Sequence, residues 1–233
     1  YGPMQNQGVL MDNIQNLSIL GSKNSDLLLA LGSNGTYVGD TGTDTLYADW
    51  SATSTAITWL NNPAGLAQSV NGTSISGVER MLVITGSGAD NISNTAVNTN
   101  DEIVTGAGND TINAGLGSDR IDGGADDDTI TVIANYGEAD TVEGGTGVNK
   151  LTVDASGLVA SNVTAVTGLS QSYSYLQWDG LNAGGSWMSA VDANSSMTTI
   201  QTLVSGADKL HLRTNGYGPM QNQGVLMDNI QNL

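Results

Sequence analysis

Cysteine and phenylalanine are absent from this sequence, proline occurs three times, and no run of 18 apolar residues is present. The lack of cysteine excludes disulfide bonds and thiolate metal sites. The scarcity of proline excludes a collagen-like chain and a proline-rich linker. The lack of a long apolar run argues against a membrane-spanning helix, so we expect no membrane insertion.

Basic residues are also scarce, with 6 lysines and arginines against 23 aspartates and glutamates, which gives a net charge of −17. A surface this acidic repels nucleic acids and anionic membranes, so we expect neither as a partner. Two interpretations of the acidity are open. The carboxylates either form a solvated surface that keeps a secreted protein soluble, or they are neutralised by bound cations.

Glycine is abundant, at 31 of 233 residues, and most apolar positions are single isoleucines, leucines or valines among Gly, Asn, Asp, Ser and Thr. Branched apolar residues favour strands, whereas Gly, Asn and Asp favour turns. The composition therefore predicts an all-β protein of many very short strands joined by tight turns.

The chain also repeats its own beginning. Residues 1–17 and 217–233 share the identical sequence YGPMQNQGVLMDNIQNL, so position 217 corresponds to position 1. We expect the chain to hold one period of a natural tandem array and the start of the next, because solenoid repeats gain stability by stacking on their neighbours. An engineered duplication is the alternative.

A shorter repeat of nine residues runs from position 96 to 131 as AVNTNDEIV, TGAGNDTIN, AGLGSDRID and GGADDDTIT, and the long period is a whole multiple of it. The sixth place is always Asp and the eighth is always Ile. Related blocks lie at 85–93, at 135–152 and in a second cluster at 21–47. The sixth-place aspartates are Asp101, Asp110, Asp119 and Asp128 in the main run, Asp90 and Asp140 beside it, and Asp26 and Asp44 in the second cluster.

These blocks resemble the haemolysin-type calcium-binding nonapeptide G-G-x-G-x-D-x-U-x of the repeats-in-toxin family. The resemblance is strong over 96–131, good over 85–93, 135–152 and 39–47, and partial over 21–38, and it covers less than half of the chain. It implies a calcium-binding parallel β-roll and export by a type I secretion system, with the chain folding outside the cell.

Backbone chemistry explains the spacing within each block. Glycine at places 1, 2 and 4 permits conformations that a Cβ atom forbids, so six residues turn sharply and present their carbonyls and the Asp to one side. The last three residues form a short strand whose apolar eighth residue faces inward. Besides the aspartates, the predicted calcium-site residues are Gly106, Gly108, Gly115, Gly117, Gly124 and Asp126, the last of which replaces a fourth-place glycine as either a ligand or a surface charge.

Two blocks of nine make one coil, so equal places in every second block are expected to stack, such as Asp101 on Asp119. Stacked carboxylates repel each other unless a cation lies between them. Carboxylate and carbonyl oxygens, without His or Cys, select Ca²⁺ over zinc or copper, and we predict several calcium ions. The alternative is that these aspartates cap solvent-exposed Asx turns, which applies above all to Asp26 and Asp44.

Several positions depart from the repeat. Thr105 and Ala114 occupy first places, and Asn149 occupies a sixth place, where a calcium site would be weaker. Residues 94–95 and 132–134 break the nine-residue register, and we expect them to interrupt or shift the row of ions.

The longer segments are predicted to be wider coils of the same solenoid, because strand patterns recur in them and each is too short for a separate domain. The expected fold is a right-handed parallel β-roll or β-helix. The predicted organisation is the end of a wide coil at 1–20, calcium nonapeptides at 21–47, a wide coil at 48–84, the main calcium β-roll at 85–152, a wide coil at 153–208, and the start of the next wide coil at 209–233.

The tryptophans of the wide coils are predicted to pack these coils, with contact to a glycan as the alternative. They are Trp50, Trp59, Trp178 and Trp187. His211 is the only histidine and has no acid pair or nucleophile near it in the sequence, and no G-x-S-x-G or H-E-x-x-H motif is present. We therefore expect no enzymatic activity.

The predicted function is structural: a calcium-stabilised repeat of a large extracellular bacterial protein that acts as a rigid spacer or fibre at the cell surface, as in an adhesin, a motility protein or a matrix protein. Neighbouring copies of the same repeat are the expected partners. Two alternatives stay open, a surface-layer or fibre-forming subunit whose rods associate laterally, and a glycan-binding module.

Overall fold

The computed structural model describes residues 17–32, 34–133, 138–166, 173–180, 189–194, 197–205, 209–213 and 224–228. Within these ranges no helix is present, and so none is long and apolar enough to cross a membrane. Residues 1–16 and most of 217–233 lie outside these ranges, so the join between tandem copies stays a prediction. Trp187 also lies outside them, so its packing role stays a prediction.

All regular structure in the described residues is β-strand. The strands are β1 Ser18–Leu20, β2 Leu27–Leu31, β3 Gly35–Val38, β4 Thr45–Asp49, β5 Thr58–Leu60, β6 Gln68–Val70, β7 Thr73–Ser76, β8 Arg80–Ile84, β9 Asn91–Ser93, β10 Glu102–Val104, β11 Thr111–Asn113, β12 Arg120–Asp122, β13 Thr129–Ile133, β14 Glu138–Glu143, β15 Asn149–Val166, β16 Tyr173–Gly180, β17 Ser189–Asn194, β18 Met197–Ser205, β19 Lys209–Arg213 and β20 Gly224–Asp228.

The nonapeptide strands stack in parallel at a fixed period. Strand β10 pairs with β12, with Ile103 opposite Ile121, and β11 pairs with β13, with Ile112 opposite Ile130. Successive blocks therefore belong alternately to two rows of strands, and each row gains one strand for every two blocks. This register confirms the coil of two nonapeptides and the parallel β-roll that such coils build.

Residues 94–95 and 132–134 enlarge single coils and leave the strand pairing intact. Across the first insertion β8 pairs with β10, with Val83 opposite Ile103. Across the second β12 pairs with β14, with Ile121 opposite Val142. The parallel pairing therefore continues on both sides of each insertion. The predicted effect of these residues on the row of ions stays a prediction.

The core of the roll consists of one inward side chain from each short strand. The eighth residue of each nonapeptide points inward and is at most 1% exposed, whereas its neighbours in the strand point outward. Each such burial is worth about 1.5–3 kcal/mol relative to exposure. The inward residues of the run are Ile92, Ile103, Ile112, Ile121, Ile130, Val142 and Leu151.

The chain from β4 to β8 forms a wider coil of the same roll. The two strands pair in parallel at an offset of 35 residues, with Leu46 opposite Met81. Trp50 and Trp59 fill the larger interior, with ring centroids 5.9 Å apart and ring planes inclined by 60°. Both side chains are buried, and Nε1 of Trp50 donates to the carbonyl oxygen of Gly32 at 2.9 Å. These two tryptophans pack the wide coil.

A small second sheet, in the order β1-β3-β7-β6, lies beside the main one. Strands β6 and β7 form an antiparallel hairpin whose two central residues, Asn71 and Gly72, both have positive φ. Positive φ at both central residues is the requirement of a type I′ turn, which Asn-Gly meets well. Further along the chain, β15 pairs in parallel with β13, β18 and β19, and antiparallel pairs join β15 to β16, β16 to β17 and β19 to β20.

Candidate calcium sites

The turns of the last three blocks of the nonapeptide run, from position 105 onward, have positive φ at places 2 and 4. In one turn these residues are Gly106 and Gly108, with φ of 88° and 118°, and in the next they are Gly115 and Gly117. A Cβ atom added to Gly106 would collide with the carbonyl oxygen of Gly86 in the preceding coil. Both the backbone conformation and the close approach of the coils therefore require glycine at these places.

The first place of the block has a different requirement. Thr105, Ala114 and Gly123 occupy it, and none of them has positive φ. A Cβ atom added to Gly123 would lie 2.6 Å from Oδ2 of Asp128 and 3.2 Å from the carbonyl oxygen of Gly144. A carboxylate oxygen and a carbonyl oxygen of the next coil thus face the space that the missing side chain leaves. Glycine at place 1 of this block provides room, and the prediction that place 1 needs a backbone conformation forbidden to a Cβ atom is wrong.

The sixth-place carboxylates lie inside the edge of the roll and stack on one another. The backbone N–H of Asp101 donates to Oδ1 of Asp119 at 2.8 Å, and that of Asp110 donates to Oδ1 of Asp128 at 2.9 Å. We call each of the two columns formed in this way an aspartate ladder. The residues predicted to stack are therefore joined by direct hydrogen bonds. The buried carboxylates of the run and of the blocks beside it, each at most 3% exposed, are Asp90, Asp101, Asp110, Asp119, Asp128 and Asp140.

Both ladders continue through the enlarged coils. The backbone N–H of Asp90 donates to Oδ1 of Asp110 at 2.7 Å, across an offset of 20 residues. The backbone N–H of Asp119 donates to Oδ1 of Asp140 at 3.0 Å, across an offset of 21 residues. The inserted residues thus change the size of a coil and leave the carboxylates aligned.

The second carboxylate oxygen of these residues has no hydrogen-bond partner, although it is buried. A buried carboxylate oxygen without a donor is costly, because it has lost its water and gained nothing in exchange. Asp101 is the exception, since its Oδ2 accepts a hydrogen bond from Nδ2 of Asn94 at 2.7 Å. The unpartnered atoms are Oδ2 of Asp44, Asp90, Asp110, Asp119, Asp128 and Asp140.

Burial shifts the titration of the ladders toward the protonated form. Burial, together with the neighbouring carboxylates of Asp101 and Asp140, raises the pKa of Asp119 to about 8 in spite of the lowering effect of the Asp101 N–H. Burial likewise raises the pKa of Asp128 and of Asp140 to about 7, and that of Asp110 to about 6. Near neutral pH these groups need either a proton or a nearby cation.

Calcium fits this arrangement in charge and in ligand type. Hard oxygen donors are available as carboxylate oxygens and turn carbonyls, and Ca²⁺ accepts both in flexible geometry. In the part of the chain that the structure describes, no three Asp, Glu, His or Cys side chains lie together as a metal-binding group. A cation on a ladder would therefore be held by the Asp oxygen that has no donor and by backbone carbonyls, as at Asp128 and Gly144.

Asp126 faces solvent beside its ladder. It occupies a fourth place with φ of 80°, a conformation that Asp tolerates better than most residues, and its side chain is exposed. Its Oδ2 accepts a hydrogen bond from the backbone N–H of Gly108 at 3.2 Å, one coil earlier. Gly124, at the second place of the same block, keeps the usual positive φ of 89°.

The two sixth-place aspartates of the second cluster, Asp26 and Asp44, differ in burial and in hydrogen bonding. Asp44 is fully buried, and its Oδ1 accepts the backbone N–H of Asp26 at 2.8 Å, as in the main run. Asp26 itself is half-buried, and its carboxylate accepts hydrogen bonds from the backbone N–H and the hydroxyl of Ser22 in its own turn. The carboxylate of Asp26 therefore caps its own exposed turn through Ser22, four residues earlier, whereas Asp44 has the unpartnered oxygen of a ladder member.

Two ladder positions carry other side chains. Glu79 lies one wide coil after Asp44, and its Oε2 accepts the backbone N–H of Asp44 at 2.7 Å. No sequence pattern points to Glu79, because it stands 35 residues from Asp44 and outside any nonapeptide. Asn149 ends the other ladder: its Oδ1 accepts the N–H of Asp128, and its Nδ2 donates to the carbonyl oxygen of Gly144, both at 2.8 Å.

Comparison with known proteins agrees with this geometry. Residues 95–130 match the family model of the RTX calcium-binding nonapeptide repeat in four copies. A comparison with curated proteins finds no match. RTX nonapeptide repeats bind calcium ions and form parallel β-rolls, and the strands of this segment stack in parallel over two buried aspartate ladders. Residues 95–130 are therefore RTX calcium-binding nonapeptide repeats.

Proposed function

We propose that the chain is a calcium-stabilised structural repeat of a large extracellular bacterial protein, in which it acts as a rigid spacer or fibre at the cell surface. The observation that supports this proposal is the pair of aspartate ladders. Six buried carboxylates each keep one oxygen without a donor along the edge of a continuous roll. We assign the repeat no catalytic role.

The ladders make folding depend on a cation. The inward side chains supply one buried apolar residue for each block of the run, against an ordering cost of about 1–2 kcal/mol per residue for the backbone alone. A cation that binds only the folded state adds RT ln(1 + [L]/Kd), about 2.7 kcal/mol at a hundredfold excess over Kd. Extracellular calcium modules have dissociation constants of roughly 10⁻⁴–10⁻³ M, so folding would be favoured outside the cell.

The stacking of the coils supports a rod-like spacer. Parallel pairing runs without a break through β2, β4, β8, β10, β12 and β14. Each coil adds one strand spacing of about 4.8 Å along the axis. Repeats of this kind contact only their nearest neighbours, so tandem copies extend the rod and stabilise each other. The adhesin, motility and matrix roles, and export by type I secretion, belong to this proposal.

Substitution of a ladder carboxylate tests the proposal directly. Asp128→Asn keeps the size of the side chain and removes the charge, and should raise the calcium concentration needed for half-maximal folding by about tenfold or more, measured by circular dichroism. Asp122→Asn is the matched control, because Asp122 lies in the same run but outside the ladders and is only half-buried. Equal calcium midpoints for the two variants would contradict the proposal.

A second candidate function is self-assembly into a fibre or surface layer. Leu27, Leu29 and Leu31 point outward from β2 and are 60%, 48% and 71% exposed. A row of exposed leucines on one strand favours contact with another apolar surface. If copies associate through this row, Leu29→Ser should lower the apparent mass in sedimentation, whereas Leu66→Ser, at the more exposed Leu66, should not. The glycan alternative has no support from Trp50 and Trp59, because both are buried.

A further inference from the structure

Asp101 differs from the other sixth-place aspartates of the nonapeptide run and of the blocks beside it in that both of its carboxylate oxygens have donors. Its Oδ1 accepts hydrogen bonds from the backbone N–H of Met81 at 2.8 Å and from the hydroxyl of Thr99 at 3.2 Å. Its Oδ2 accepts a hydrogen bond from Nδ2 of Asn94 at 2.7 Å. At the other five positions the second oxygen is buried without a donor.

The Asn94 amide is fully buried and its orientation is set by its neighbours. Besides Asp101, Nδ2 lies 2.8 Å from the carbonyl oxygen of Glu79, and Oδ1 accepts a hydrogen bond from Nδ2 of Asn61 at 2.9 Å. The reversed orientation would place the amide oxygen against a carboxylate and a carbonyl oxygen, and the amide nitrogen against a second amide nitrogen. The donor therefore faces Asp101.

Asn94 lies at the junction between the wide coil and the nonapeptide run. Asn61 belongs to the wide coil, where its Nδ2 also donates to the carbonyl oxygen of Val78 at 2.9 Å. Asn94 is one of the two residues inserted before the nonapeptide run begins. A buried chain of amides thus leads from the wide coil to the first carboxylate of the run.

We propose that the Asn94 amide takes at Asp101 the place that calcium takes at the other ladder carboxylates, so that Asp101 is not a calcium ligand and the junction forms without calcium. This inference rests on the proposed calcium function of the remaining ladder. A sixth-place Asp is otherwise the mark of a calcium site, but here both oxygens already have donors. A cation at Asp101 would have to displace the Asn94 amide. The other acceptors near Nδ2 of Asn94 are the carbonyl oxygen of Glu79 and the hydroxyl of Thr99.

The number of bound calcium ions tests this assignment. Asp101→Asn should bind the same number as the unsubstituted chain in calorimetric titration, whereas the matched variant Asp128→Asn should bind at least one fewer. Loss of an ion in Asp101→Asn would overturn the inference. An unchanged number in Asp128→Asn as well would overturn the proposed function, and this inference with it.

A second variant decides the matter if Asp101→Asn does not fold. Asn94→Asp replaces the donor with a carboxylate of nearly equal size and places two acceptors together, as elsewhere on the ladders. The variant should become less stable than the unsubstituted chain in EGTA and should bind one additional calcium ion at saturation. Binding of no additional ion would show that Asn94 is not in the place of a cation.

Discussion

The wide coil from β4 to β8 and the nonapeptide run from β10 to β13 stack in one roll but are stabilised differently. The wide coil buries large apolar side chains, including Trp50, Trp59 and Met81, and its buried Asn61 has hydrogen-bond partners. The nonapeptide run buries one branched apolar residue per block, together with carboxylates that keep an unpartnered oxygen. The wide coil can therefore fold on the free energy of its own apolar contacts, whereas the nonapeptide run needs a bound cation.

The largest effect that would distinguish the regions comes from a methyl group at a turn. Gly124 has positive φ, and a Cβ there would collide with the carbonyl oxygen of Gly106. Gly124→Ala should abolish calcium-induced folding of the run, because the coils could no longer approach each other. At Gly65 in the wide coil, φ is ordinary and the nearest obstacle is the exposed side chain of Asn62. Gly65→Ala should therefore fold normally, and equal calcium-dependent circular dichroism in both variants would remove the distinction.

The next largest effect is expected in the wide coil. Trp59→Ala should lower the free energy of unfolding by about 3–5 kcal/mol, since a large buried side chain leaves a cavity. The loss should be the same with saturating calcium and in EGTA, because Trp59 packs against Trp50 in the apolar interior. Denaturant titrations under both conditions measure it. A loss confined to the calcium-bound form would show that the wide coil also depends on the ions.

A smaller effect is expected from pH in the absence of calcium. Burial raises the pKa of Asp119 to about 8 and that of Asp128 and of Asp140 to about 7. The folded run thus binds protons more tightly than the unfolded chain. The stability that these groups contribute is present below their ordinary pKa near 4 and is lost as the pH rises through about 7 to 8.

In EGTA the run should therefore resist denaturant better at about pH 5 than at about pH 8. With calcium the difference should shrink or reverse, since the ion competes with protons for the same oxygens. A calcium-free run that is more stable at the higher pH would mean that the carboxylates are ionised and already compensated.

The smallest effect is expected at Asp126. Asp126→Gly relieves a positive φ and removes the hydrogen bond from Gly108, so the two changes oppose each other and stability should shift by about 1 kcal/mol or less. The number of bound calcium ions should not change, because the side chain lies outside the ladder. Calorimetric loss of an ion would identify Asp126 as a ligand.

The strict nine-residue period made much of the fold and of the candidate calcium sites predictable from the sequence. It places equal positions on the same edge of the roll, so the register of the coils, the inward isoleucines and the stacking of Asp101 on Asp119 all followed. Glu79 and Asn94 were not found, because an offset of 35 residues and a short insertion hide their alignment with the ladders. Only the strand register brings Glu79 to Asp44 and Asn94 to Asp101.

Calcium, acting on the ladders, is expected to hold the nonapeptide run folded. Hydrogen–deuterium exchange of the whole chain, compared peptide by peptide in calcium and in EGTA, tests this most directly. Amides from about position 105 to 151 should lose their protection when calcium is removed, whereas those of the wide coil, from about 45 to 84, should keep most of theirs. Equal protection of the run in calcium and in EGTA would contradict the dependence of its folding on the ion.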